Sequence, residues 1–87
     1  MKSENNLTIT GIVVTDTQFN RNHTVARFTI VHNFGSGKAP LFLECVLILK
    51  NLPGQTVPRK GNQVRIRAYI RMYNGLLEAV VKAIMIE

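Results

Sequence analysis

The sequence predicts an all-β fold, a small sheet bent strongly enough to close, and three observations carry that expectation. Apolar residues recur with period two along several short runs. Segments rich in Asn, Gly, Pro, Ser and Lys separate those runs. Near the C-terminus the pair Asn74-Gly75 stands between two apolar-patterned stretches. That is a strong hairpin signal, because a type I′ turn needs positive φ at both central residues. With 87 residues, 46% hydrophobic and 18% charged, the chain has the size and composition of one small domain, not of a disordered or low-complexity segment. Residues 1–87 are therefore expected to form a single domain, with residues 1–5 a flexible N-terminus.

In the first run Leu7, Ile9 and Val13 alternate with Thr8, Thr10 and Ile12, and Gly11 interrupts the pattern. Residues 25–32 place Ala26, Phe28 and Ile30 on one face and Val25, Arg27, Thr29 and Val31 on the other. Residues 41–49 are apolar at the odd positions, with Phe42, Glu44, Val46 and Ile48 between them. One apolar face and one mixed face is the pattern of a strand with a single side on a core. The connecting stretches are residues 16–24, 33–40 and 51–62.

A two-residue turn at Asn74-Gly75 fixes the register of the last two runs. Met72 then faces Leu77, Ile70 faces Ala79, Ala68 faces Val81, Ile66 faces Ala83 and Val64 faces Met85, all apolar and expected on the buried side. The other side pairs Tyr73 with Leu76, Arg71 with Glu78, Tyr69 with Val80, Arg67 with Lys82 and Arg65 with Ile84. Arg71–Glu78 is a favourable cross-strand pair, whereas Arg67 opposite Lys82 is unfavourable unless a bulge, splayed side chains or a bound polyanion relieves it. Leu77, Val80, Val81, Ile84 and Met85 also fit helical spacing, but the turn and the pairing favour a strand. Five strands with little or no helix fit a closed barrel, which leaves no exposed edges. The five-stranded Greek-key barrel that holds oligonucleotides is one such solution.

Eleven Lys and Arg against five Asp and Glu give a formal charge of +6, a bias toward a polyanionic partner. The longest apolar run is Cys45 to Leu49, far short of the roughly 20 residues a membrane-spanning helix needs. Residues 1–10 carry no secretory h-region. The single cysteine, Cys45, reads as a small core residue and fits a reducing compartment, most simply a cytoplasm.

The outward positions of the fourth run read Arg65, Arg67, Tyr69, Arg71, Tyr73. Cations interleaved with flat rings suit a single-stranded nucleic acid, since cations neutralise phosphates and rings stack unpaired bases. A solvated face or a subunit interface fits the same pattern. Phe34 and Lys38 in a Gly-containing loop, Arg21 beside Phe19 and His23, and the strand residues Arg27 and Phe42 extend the candidate surface. Lys50, Arg59 and Lys60 add basic charge. Catalytic signals are poor: Glu4, Asp16, Glu44, Glu78 and Glu87 are scattered, and His23 and His32 lack partners at metal-ligand spacing. Gly35-Ser36-Gly37-Lys38 lacks the frame, the hydroxyl and the following helix of a phosphate loop. No enzyme activity, cofactor or metal is expected.

Three segments resemble those of bacterial single-stranded DNA-binding proteins. Asn6-Leu7-Thr8-Ile9-Thr10-Gly11 is similar to their opening strand. Thr24-Val25-Ala26-Arg27-Phe28-Thr29-Ile30 resembles their second, where V-A-R-F is typical. Residues 60–71, beginning Lys60-Gly61-Asn62-Gln63-Val64, are similar to their K-G-x-x-V-x-I-x-G-x-L-x segment. The resemblance implies an OB-fold barrel that takes single-stranded DNA by stacking and phosphate contacts, and assembles as a dimer or tetramer. The chain departs from the family in having no tryptophan, with Leu43 at one stacking position and Phe42, Tyr69 and Tyr73 as substitutes. The helix between the third and fourth strands is reduced to residues 52–59, and the loop between the last two to Asn74-Gly75. The chain stops at Glu87 without the family's acidic-tipped tail, so tail-mediated recruitment of partners is not expected. It resembles a minimal version, near the primosomal replication protein of the same fold. An RNA-binding barrel, or an assembly module that has lost nucleic-acid binding, fits the same features.

Overall fold

A computed structural model describes residues 5–51, 54 and 56–87. Strands β1 (Leu7–Val13), β2 (Gln18–Phe19), β3 (Val25–His32), β4 (Leu41–Ile48), β5 (Gln63–Tyr73) and β6 (Leu76–Ile86) make one sheet, and a short 3-10 turn covers Leu49–Asn51. No α-helix occurs among the described residues. Part of the 52–59 segment, and residues 1–4 of the expected flexible terminus, lie outside the described residues. The fifth residue of that terminus, Asn5, bonds through its side-chain amide to the backbone of Ile70 on β5.

The strand order is β1-β5-β6-β4-β3-β2, and a further β1–β3 pairing closes five long strands into a barrel. All pairings are antiparallel except β4 with β6, which run parallel through Cys45–Ala79 and Val46–Val80. β2, which the sequence pattern did not signal, is a two-residue extension alongside Ala26 and Arg27 of β3.

Closure turns on Gly11. β1 pairs with β5 from Leu7 to Ile12 and transfers to β3 at Ile12 and Val13. A Cβ at position 11 would stand 2.7 Å from the carbonyl oxygen of Val31 and 3.2 Å from Ile30. Only glycine lets the two backbones approach this closely.

The inward positions of the five long strands meet in one core: Ile9, Val13, Ala26, Phe28, Ile30, Leu43, Cys45, Leu47, Val64, Ile66, Ala68, Ala79, Val81 and Ile84. Burial, together with the charge of nearby Glu44, pushes the Cys45 thiol up to about 12, so it is a protonated core group.

Asn74 and Gly75 have φ of 52° and 79°, the left-handed pair of a two-residue hairpin turn. From Tyr73–Leu76 to Ala68–Val81 the register is the one written from the turn. Beyond Ala68 it shifts: Arg67 faces Ala83, Ile66 faces Ile84, Arg65 faces Met85 and Val64 faces Ile86. A bulge inserts Lys82, so the expected Arg67–Lys82 opposition does not form and Ile84 turns inward instead of outward. Two further expectations are corrected. Met72 and Leu77 are exposed, because the hairpin tip projects past the barrel wall. Glu78 and Val80, expected on an open face, are buried, because β6 runs between β5 and β4 rather than along an edge.

Candidate nucleic-acid interface

Outward residues of four strands form rows across the barrel. One row runs Arg27, Val46, Val80, Tyr69 through consecutive pairings of β3, β4, β6 and β5. Two residues nearer the hairpin tip come the pairs Thr29–Glu44 and Glu78–Arg71, and beyond them Val31–Phe42 and Leu76–Tyr73. Between the pairs lies a groove of about 460 Å³, lined by Arg27, Thr29, Phe42, Glu44, Tyr73 and Glu78 among others.

Its charge is organised around Glu78. Arg27 Nη1 donates to Glu78 Oε2 at 2.7 Å, and Arg71 Nε donates to Oε1 at 2.6 Å. The Glu78 side chain is 4% exposed and each arginine side chain 36%. Burial by itself pushes the Glu78 carboxyl up, but the hydrogen bonds and charges of Arg27 and Arg71 outweigh it and hold the group below its ordinary value. Both guanidiniums also stand 5.6 Å from the centroid of the Tyr73 ring, within cation–π range. Tyr73 is 51% exposed and Phe42 62%. Two rings open to solvent therefore line the groove together with Arg27, and Arg71 stands beside it over the Tyr73 ring, a layout suited to bases and phosphates together.

The remaining candidates on β5 group differently. Arg65 and Arg67 are exposed beside Thr8, Ala83 and Met85 around a separate depression of about 370 Å³. Tyr69 is partly buried, with Lys82 Nζ 5.5 Å from its ring and also donating to Asn6 Oδ1 at 2.9 Å. The five outward residues of β5 are thus three clusters along one strand, not a single continuous face.

Among the loop candidates, Phe34 is exposed and packs edge-on against His32 at 4.8 Å, while His32 Nδ1 donates to the Thr10 carbonyl. Phe19 stacks on His23 at 5.2 Å. Arg21 and Lys38 are exposed. Neither loop lines the groove beside Tyr73. Glu78, Thr29 and Lys82 take part in these clusters without having been singled out as site residues from sequence. Among the described residues no group of His, Cys, Asp or Glu is placed to hold a metal ion.

No protein-family model matches the chain, and no curated protein sequence does. Solved structures do. The mitochondrial single-stranded DNA-binding protein of S. cerevisiae is similar with a TM-score of 0.75 at 18% identity, over 98% of this chain and 95% of that one. The N-terminal domain of the PriB protein from Thermoanaerobacter tencongensis, described as dimeric, is similar with a TM-score of 0.76 at 19% identity, over 95% and 96%. A Plasmodium falciparum single-stranded DNA-binding protein, in complex with single-stranded DNA, is similar with a TM-score of 0.72 at 14% identity, over 100% and 97%. At these identities the likeness establishes the fold alone, a closed five-stranded OB barrel.

Proposed function

We propose that residues 1–87 act as one non-catalytic module that binds single-stranded DNA with low sequence specificity, in replication, repair or recombination. The observation that carries this reading is Tyr73, half exposed, with the Arg27 and Arg71 guanidiniums over its ring in a groove that Phe42 also lines. Bases stack on Tyr73 and Phe42, and phosphates meet Arg27 and Arg71. Arg65, Arg67 and Tyr69 carry the strand further along β5, with Arg21, Phe34 and Lys38 contributing from the loops. The complex of the P. falciparum protein with single-stranded DNA supports the ligand, and the dimeric PriB domain supports a homo-oligomer. The buried free thiol of Cys45 fits a reducing compartment, most simply the cytoplasm.

Fluorescence anisotropy with a labelled dT oligonucleotide tests the reading. Affinity is expected to fall with salt at a log–log slope of about −0.7 per neutralised phosphate, and a duplex of equal length is expected to compete poorly. Absence of salt-sensitive binding at low ionic strength rejects the proposal. A second reading, an assembly module without nucleic-acid binding, is favoured by one feature: Met72, Leu76 and Leu77 are exposed together at the hairpin tip. Light scattering separates the two, since that reading expects an oligomer whose mass oligo-dT does not alter.

A further inference from the structure

Resting on that reading, we propose that Glu78 is a positioning residue of the groove, holding Arg27 and Arg71 on the Tyr73 ring so that phosphate contact and base stacking occur at one place. A buried carboxylate beneath a polyanion site calls for a physical reason. By charge alone it opposes the ligand, and burying it is costly unless it is well paired. The placement supplies the reason. Glu78 is almost fully covered while both arginine side chains stay about one-third exposed, so the carboxylate lies under the arginines and does not occupy the position a phosphate would take.

Each arginine uses one N–H on Glu78, Nη1 for Arg27 and Nε for Arg71. Among the described residues their other donors have no protein acceptor. A guanidinium is a planar fork with five donors, so an arginine anchored by one edge still offers another. Arg27 and Arg71 come from β3 and β5, which are separated in the sheet by β4 and β6. Glu78 on β6 ties both to one point. The trio carries one net positive charge, so anchoring keeps attraction for a phosphate while fixing where it is met.

The test is the near-isosteric Glu78→Gln, which raises net charge by one, measured by anisotropy with a dT oligonucleotide across a salt series. If Glu78 positions the arginines, affinity falls despite the added charge. The log–log slope then flattens by up to about 1.4, at about 0.7 per lost phosphate contact. In an Arg27→Ala/Arg71→Ala background the same substitution brings no loss of affinity and no flattening of the slope. Equal or tighter binding by Glu78→Gln, with an unchanged or steeper slope, overturns the proposal, and so does an equal loss in the double-alanine background. Arg27→Lys/Arg71→Lys keeps the charge but not the fork, and serves where Glu78→Gln does not fold. It is expected to bind more weakly with a flatter slope, and binding equal to the parent's overturns the proposal. If the parent chain itself does not bind dT at low salt, the proposed function fails with it. If the parent binds and the variants behave like it, only the role of Glu78 fails.

Discussion

Tyr73 and Phe42 are the side chains on which the binding account rests most heavily. Base–aromatic stacking is worth about 1–3 kcal/mol per base, and both rings are more than half exposed, so removing them leaves the core intact. Tyr73→Ala and Phe42→Ala are each expected to weaken oligo-dT binding by that amount in anisotropy titrations, with little change in Tm. Glu78 gives a second expectation. Its folded-state pKa lies below the ordinary value, so its ionised form contributes stability that is present above about pH 4.5 and lost as pH falls through the depressed value. The Tm gap between the parent and Glu78→Gln is therefore expected to be widest near neutral pH and to narrow in melts below about pH 4.5. Half of this cluster is legible in the sequence. The turn register put Arg71 opposite Glu78, but the arrival of Arg27 depends on the parallel β4–β6 pairing, a non-local contact that no local pattern specifies.

Strand β1 shows how an element's bend can rest on one residue. At Gly11 the strand changes partner from β5 to β3, with the Val31 carbonyl where a side chain would begin. Gly11→Ala forces backbone displacement, and overpacking of this kind costs about 1–3 kcal/mol. For a domain of this size each kcal/mol lowers Tm by roughly 4–8 °C, which a thermal melt reads directly. The interruption at Gly11 was legible in the sequence, though not its role at the barrel corner. β6 is the converse case. Counting back from Asn74-Gly75 gave the correct pairs as far as Ala68, then failed, because strict period two has no place for the extra residue Lys82. The spacing from Val81 to Ile84, which fits a helix, is the trace of that bulge: two inward residues three apart in a strand. An unfavourable Arg67–Lys82 pair was the second signal, and the bulge relieves it.

For the whole molecule, closure and charge act together. Five strands joined edge to edge leave a continuous outer wall. A formal charge of +6 on 87 residues biases that wall toward polyanions. The all-β class and the strand limits were legible because alternation survives wherever one face is buried. The division of the basic residues among separate clusters was not, because a strand of 11 residues such as β5 coils around the barrel and presents its two ends to different neighbours. The central claim is that single-stranded DNA lies across the Tyr73 groove. Its most direct test is an NMR titration of isotopically labelled protein with oligo-dT, following aromatic and arginine side-chain resonances. The account expects saturable shifts at Phe42, Tyr73, Arg27 and Arg71 that fade as salt rises. Shifts confined to the 16–24 and 33–40 loops, with those four side chains unmoved at saturation, would contradict it.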